Sequence, residues 1–368
     1  MRRLLLPLSG IAIIAVAINH ASHNGISRLF EVMGVAYSPD PAQSTFWNAM
    51  TNPNYWFDIA AQQLPLFSVP AFLMISGFFI AFVVRGDPPT VSGSFVKTRV
   101  LNLLWPYLIW SVIYFAADIV LRDRVYTPLE YGLRILNGNV IWFVPLLMQF
   151  YLLAPFIVRW ARHRPRLLLL LAGAIQVGVT LPLYFFADYE RIARYGGEGS
   201  IVLFVWWALY FPLGMVLGFH SREVRPWLEK HRRALLLGTV VFAALSILES
   251  ELVLRAIGWH GWGSNPNKLT SMAYAVFFAL FFLSLDRERI PFAKHFETLG
   301  GQTYGIYLSH ILFLRLGERV INRVAPFLHG VSFLYVPVLA VIGIGGALLL
   351  MEAVRRLPTR RLYPYLFG

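Results

Sequence analysis

The chain alternates between long runs of apolar residues and short polar connections. Most runs reach the roughly 17–25 residues that a helix needs to span the hydrocarbon core of a membrane. Ten can be marked, at 4–22, 64–84, 100–120, 140–158, 167–186, 201–219, 234–254, 269–285, 299–316 and 332–354. The pattern predicts an all-α polytopic membrane protein of about ten transmembrane helices, forming a single domain over residues 1–368.

The positions of the cations predict the orientation of these helices. With both termini inside, 21 of the 32 Lys and Arg fall on the inner side, and the other 11, including those of the ninth helix and its extension, fall outside. Cytoplasmic loops carry such an excess, so we expect an N-in and C-in topology in a bacterial inner (plasma) membrane. The net charge of +13 then reflects this bias and contact with membrane lipids, and it does not indicate nucleic-acid binding.

Composition supports a membrane protein and narrows the chemistry. Hydrophobic residues make up 57% of the chain and charged residues 14%, with a mean hydropathy of +0.60. The chain has no cysteine, which excludes disulfides, thiolate metal sites and a cysteine acyl-enzyme. Residues 1–25 also fit a cleaved signal peptide, with two arginines, an apolar run and small residues before Ser22. Retention as the first helix is favoured, because the run ends in a polar cluster.

Two histidines occupy apolar helices, where an ionisable side chain is costly and marks a candidate functional site. His20 lies about 24 Å along the first helix, near the outer side, and His310 lies roughly 16 Å along the ninth, near mid-membrane. The alternatives are a helix-end histidine in wet headgroups for His20 and an interhelical packing bond for His310.

Asp118 lies near the outer end of the third helix, at the depth of His20. A carboxylate there is suited to hold an imidazole in one tautomer, and Asp58, Glu249 and Glu251 compete for that role. Snorkelling at a helix end is the alternative. On the inner side, Lys97 and Arg99 open the third helix and Arg85 closes the second. Such cations suit a phosphorylated donor, although positive-inside bias alone also places cations there.

Other motifs and aromatic clusters add little. The chain has no P-loop, GxGxxG, HExxH, EF-hand or GxSxG pattern. The sequence therefore gives no support to a metal-dependent enzyme or a nucleotide hydrolase. The connection over residues 21–63 and the cluster at 258–263 are rich in aromatics. Membrane proteins carry aromatic belts at both interfaces, while a platform for stacking on sugar rings is the functional alternative.

Four segments together resemble the integral-membrane acyltransferase 3 family. The first helix ends its apolar run in Asn19 and His20, and the second carries an aromatic-rich run ending in Ser76 and Gly77. The other two are Trp142 with residues 149–155 on the fourth helix and residues 304–310 on the ninth. Four such motifs in order on ten helices make the resemblance fairly specific.

The resemblance implies transfer of an acyl group, acetyl in the first instance, from cytosolic acyl-CoA to a hydroxyl of an extracytoplasmic polysaccharide. It makes His20 the general base, Lys97 and Arg99 the residues that hold the donor, and Asn19, Trp142 and His310 residues lining the substrate path. Acyl-CoA is then a co-substrate, with no bound cofactor and no metal.

The chain departs from the family at three places. Ser9 stands where the family has a basic residue eleven positions before the first-helix histidine. Asn102 follows Arg99 where the family has a second arginine, and Leu147 and Met148 stand where many relatives have an acidic residue. These differences all bear on donor binding.

A transporter or exporter of glycan or lipid-linked intermediates is the alternative from another class. A polar path between the helices, with aromatic residues at its ends, suits transport as well. The chain has no apparent internal repeat, which many secondary transporters show.

Overall fold

The computed structural model describes residues 1–35, 46–84, 86–185, 203–257, 265–356 and 358–368, and these ranges contain helices and no β-strand. The predicted all-α class is confirmed. The α-helices are α1 Leu5–Met33, α2 Phe46–Ala49, α3 Pro53–Gln63, α4 Ser68–Val83, α5 Gly93–Arg122, α6 Pro128–Asn137, α7 Phe143–His163, α8 Pro165–Thr180, α9 Pro182–Phe185, α10 Tyr210–Phe219, α11 Ser221–Lys230, α12 Arg232–Ile257, α13 Leu269–Leu283, α14 Ala293–Gly300, α15 Thr303–Val324, α16 Ser332–Arg356 and α17 Tyr363–Phe367. Short 3₁₀ turns join several of them, at Arg2–Leu4, Leu64–Phe67, Asn139–Ile141, Leu203–Trp207, Arg287–Arg289, Pro326–Gly330 and Pro358–Leu362.

In their described residues, all ten predicted segments lie mostly on helices. Within the described ranges, seven helical segments are long and apolar enough to cross a membrane: Arg2–Met33, Pro53–Val83, Gly93–Arg122, Phe143–His163, Pro165–Phe185, Arg232–Val253 and Ser332–Arg356. The apolar helices α10 and α13 are shorter, at 10 and 15 residues, and α15 carries several charged residues in its second half. The chain is therefore a multi-pass membrane protein, and the number of ten spans stays a prediction.

The first helix extends well beyond its predicted end at residue 22. α1 runs to Met33 and stops where Gly34 adopts the left-handed conformation, with φ 63°, that glycine tolerates without a steric cost. Much of the predicted loop 21–63 is therefore helical, as α1 and α3. The Asp58 carboxylate packs close to the Cα of Gly25 and leaves little room for a side chain there. Glycine at this position therefore lets α1 continue past Asp58 without a clash. The aromatic cluster at 258–263 lies outside the described residues.

Helix directions follow from contacts along α15. Tyr304 near its start donates to the carbonyl of Leu103 at 2.8 Å, and Arg315 near its end reaches Asp118, so α5 runs parallel to α15. α1 also runs parallel to α15, because Ser9 contacts Thr303 and Arg28 contacts Glu318. α16 is antiparallel to α15, because Gly305 faces Met351 and Gly317 faces Leu339.

Both termini lie at the same end of the bundle. Gly300 packs on the backbone of Leu6, and Gly368 packs on Tyr304. The indole of Trp110 donates to the carbonyl of Leu366 at 2.8 Å, which seats α17 against α5. An even number of crossings places the two termini together in this way. The side of the membrane on which they lie stays a prediction from the cation count.

α4 and α10 cross in close backbone contact. A Cβ built on Gly77 would lie 2.0 Å from the carbonyl oxygen of Phe211, and one on Gly214 would lie 2.0 Å from that of Met74. Lipid supplies little hydrophobic force between helices, so association depends on close packing at small residues. This crossing fixes the short helix α10 against the centre of the protein.

The predicted orientation can be tested at the two ends of α5. In intact cells, we expect a cysteine replacing Val125, which is 75% exposed, to react with an impermeant thiol reagent. A cysteine replacing the exposed Ser94 should react only after permeabilisation. The chain has no native cysteine to confuse the signal. The reverse labelling pattern would overturn the N-in and C-in topology.

The α4–α10 crossing predicts a stability effect of a single methyl group. Gly77→Ala should lower the free energy of unfolding by about 1–3 kcal/mol, because the backbones must move apart. Gly173→Ala on α8 is the matched control, since no atom lies within 4 Å of its built Cβ. Thermal unfolding in detergent measures both variants. Equal melting temperatures for the two would show that the crossing does not depend on contact between the backbones.

Candidate active site

The structure brings His20 of α1 and His310 of α15 together. Their ring centroids are 5.4 Å apart, with the planes inclined at 46°. His310 is fully buried, while His20 is partly exposed and makes no hydrogen bond to another described residue. Two ionisable rings from distant parts of the sequence thus meet inside an apolar bundle, where such groups are costly.

Main-chain contacts set the tautomer of His310. Its Nδ1 lies 2.7 Å from the carbonyl oxygen of Tyr307 and 3.1 Å from that of Ile306. Carbonyls only accept hydrogen bonds, so Nδ1 carries a proton and Nε2 of the neutral ring is an acceptor. This Nε2 is buried and has no partner within the described part of the chain. Because buried polar atoms are normally paired, it is available to a ligand or to water.

Asn19 anchors the helix that carries His20. Its side-chain amide donates to the carbonyl of Gln62 on α3 at 2.9 Å. Its own carbonyl accepts from the Ser22 hydroxyl at 2.8 Å and lies 2.7 Å from Nδ1 of His23. These bonds hold Asn19 as a link between α1 and α3, next to His20 in sequence.

Trp142 is connected to the histidine pair through its neighbour. Its ring stacks on Trp207 with centroids 5.3 Å apart. The next residue, Phe143, donates its backbone N–H to the Tyr307 hydroxyl at 3.2 Å. The Tyr307 ring in turn lies 5.8 Å from that of His310. The beginning of α7 therefore forms one wall beside the pair.

Asp118 has a different partner from the one predicted. Its Oδ1 accepts from Arg315 at 3.0 Å and its Oδ2 from the Tyr126 hydroxyl at 3.3 Å, and neither contacts His20. The predicted pairing of Asp118 with His20 is therefore corrected. Residue counting matched the depths of the two residues in the membrane, but the Asp118 side chain of α5 points toward Arg315 of α15 and not toward His20. The competing carboxylates bond elsewhere: Asp58 accepts from the Ser332 hydroxyl, Glu251 from the Tyr55 hydroxyl and Glu249 from the backbone N–H of Thr270.

Sequence reasoning missed Arg315, which it had counted only among the outer cations. Its side chain is 10% exposed and pairs with Asp118. A basic residue on the same helix as His310, five positions later and directly after an apolar stretch, was the available signal.

Lys97 and Arg99 lie far from the histidines, at the end of the bundle that holds the termini. Both are exposed, and neither has a carboxylate within ion-pair distance among the described residues. Arg99 packs its guanidinium over Phe95, 5.3 Å from the ring centroid. The Tyr114 hydroxyl bonds to the carbonyl of Leu308, which marks the level of His310. Arg99, fifteen residues before Tyr114 on α5, therefore lies about 22 Å from the level of His310 along the helix axis. Arg85 lies outside the described residues.

The arrangement is suited to proton transfer. A neutral imidazole with a ring nitrogen that makes no hydrogen bond to a described residue can accept a proton, and the neighbouring Nε2 is a second acceptor. Within the described ranges, no three His, Asp or Glu side chains group as metal ligands would.

Comparison with known proteins gives a family match. A family model described as an acyltransferase domain, that of acyltransferase 3, matches residues 8–352. Proteins of Staphylococcus aureus strains MW2 and N315, each named a probable poly-beta-1,6-N-acetyl-D-glucosamine export protein, are 21% identical over 69% of this chain and 70% of their own length. A Bacillus subtilis protein named "Putative membrane-bound acyltransferase YfiQ" is 24% identical over 69% of this chain and 70% of its own length. No solved structure gives a significant match.

Proposed function

The chain belongs to the acyltransferase 3 family, and on this premise we propose that it transfers an acetyl group from acetyl-CoA to a hydroxyl of an extracytoplasmic glycan. That it is a membrane acyltransferase follows from the family match and from its apolar helices. The donor, the acyl group, the acceptor and a bacterial inner-membrane location are the proposal. The observation that carries it is the contact between His20 and His310 inside the bundle.

His20 acts as the general base in the proposed reaction. Its neutral imidazole accepts the proton of the acceptor hydroxyl while the hydroxyl oxygen attacks the thioester carbonyl. The bond from carbonyl carbon to sulfur breaks, and the CoA thiolate leaves and takes up the proton from the imidazolium. The Nε2 of His310 accepts a hydrogen bond from the acceptor hydroxyl or from protonated His20, which keeps the two groups aligned.

Lys97 and Arg99 hold the donor in this proposal. CoA carries its phosphates at one end and its thiol at the other, separated by the pantetheine arm. The rise of α5 places the two cations about 22 Å from the level of the histidines. Phosphates held by the cations would thus leave the pantetheine arm to reach toward the histidines. Unpaired cations at the rim suit charge-assisted bonds to phosphate.

Export of a glycan is a second candidate, because relatives are named for the export of poly-beta-1,6-N-acetyl-D-glucosamine. Release of free CoA separates the two functions. Purified protein given acetyl-CoA and a glycan acceptor should release CoA in proportion to acetylated product. Glycan movement across vesicles without CoA release would favour export.

His20→Ala tests the base. We expect the variant to cut turnover by about 10²–10⁴-fold, the contribution typical of a general base. His23→Ala is the control on the same helix, where the ring is held by the Asn19 carbonyl, and it should lose much less. Gel filtration and thermal unfolding confirm that both variants fold. Retention of more than about a tenth of the turnover by folded His20→Ala would exclude the assignment.

Lys97→Gln combined with Arg99→Gln tests the donor site. The apparent KM for acetyl-CoA should rise about ten-fold or more, because each lost charge-assisted contact is worth roughly 1.5–3 kcal/mol. The control is Arg222→Gln combined with Lys230→Gln, which removes two exposed cations from the same predicted side. Equal KM values for the two double variants would leave Lys97 and Arg99 as topology determinants only.

A further inference from the structure

Five arginines converge on one cavity at the end of the bundle opposite the termini. The cavity measures about 560 Å³, within the roughly 300–1,000 Å³ typical of small-molecule sites. The arginines that line it come from α1, from α15 and from the end of α5 and the turn after it: Arg28, Arg122, Arg124, Arg315 and Arg319.

The cavity keeps a net positive charge after its ion pairs are counted. Arg28 pairs with Glu318 and Glu31, at 2.9 and 2.6 Å, and Arg315 pairs with Asp118 at 3.0 Å. Three carboxylates therefore face five guanidinium groups.

Three of the guanidiniums have a weak carboxylate partner or none among the described residues, and one of these, Arg319, donates only to the carbonyl of Leu121. Arg122 reaches Asp118 only at 4.0 Å, and Arg124 has no carboxylate within ion-pair distance among the described residues. Like charges held together repel one another, so binding of an anion would stabilise the cluster.

The cavity lies beyond the histidine pair along α1 and α15, on the side away from the termini. Asn24, which lines it, lies one helical turn after His20 on the same face of α1. Residues four apart on a helix have Cβ atoms about 5–6 Å apart. Arg315 follows His310 by five residues on α15. The cavity therefore begins about one helical turn beyond His20 along α1.

We propose that this cavity binds an oxyanion, phosphate or carboxylate, carried by the acceptor glycan beside the hydroxyl that is acylated. This rests on the proposed function and names the class of its acceptor. All five cations are arginine, whose planar fork matches both oxyanions through paired hydrogen bonds. They lie on the predicted outer side, where positive-inside bias does not place cations. The acceptor is therefore a negatively charged saccharide, positioned by its charge.

Binding without acyl-CoA tests the cavity directly. In nanodiscs of phosphatidylcholine, calorimetric titration should detect glucose 1-phosphate or glucuronate and should not detect glucose. Arg124→Gln and Arg319→Gln should each weaken this binding about ten-fold or more, the loss expected for a charge-assisted contact. Arg323→Gln is the matched control, an exposed arginine one turn beyond Arg319 that does not line the cavity. Melting temperatures without ligand verify folding.

Three outcomes would overturn the inference. The first is equal binding of glucose and the charged sugars, and the second is no effect of Arg124→Gln and Arg319→Gln on binding. The third is loss of sugar binding when phosphatidylglycerol is added, which would assign the cavity to a lipid headgroup.

Acyl transfer is scored separately through CoA release. If charged sugars bind but no acceptor releases CoA, the proposed function fails and the binding site stands. If neutral acceptors release CoA and Arg124→Gln leaves their KM unchanged, while the charged sugars do not bind, the function stands and the inference fails.

Discussion

Hydrocarbon offers no hydrogen-bond partners, so each polar side chain of a buried transmembrane helix must find one within the protein. α1 shows how this constraint builds the site, because it packs on α3, α4, α14, α15 and α16 at once. Ser9 bonds to Thr303, Asn19 to the backbone of α3, and Arg28 to Glu318 on α15. These bonds fix the depth and rotation of α1. His20 lies between them and makes no hydrogen bond to any residue in the described part of the chain, as the proposed base requires.

The bundle separates three kinds of chemistry along its axis. Lys97 and Arg99, which have no ion pair among the described residues, lie at the end that holds the termini. The two histidines lie in the interior, and the arginine cavity lies at the far end. In the proposed reaction, the acyl donor and the acceptor approach from opposite ends and meet at the histidines. Such a geometry joins reactants from two compartments without moving either one completely across the membrane.

The sequence predicted the helices well because apolar runs of sufficient length have few alternatives in a membrane. Residue counting predicted the depth of each side chain but not the rotation of its helix about the helix axis. The Asp118 prediction failed for this reason, because the side chain faces Arg315 instead of His20. The meeting of His20 and His310 depends on helix order around the bundle; the family resemblance implied roles for both residues but did not predict their contact. Counting cations by side also merged loop arginines with Arg315, whose burial and ion pair appear only in three dimensions.

The crossing of α4 and α10 has a consequence for how the protein is made. α10 has 10 residues, too few to span the hydrocarbon alone, and its glycine packs directly on the backbone of α4. A segment of this length gains its place by docking on helices that are already inserted. Membrane integration of α10 is thus a step of tertiary folding, and a nascent chain stalled before that docking would expose an unassembled half to the quality-control proteases of the membrane.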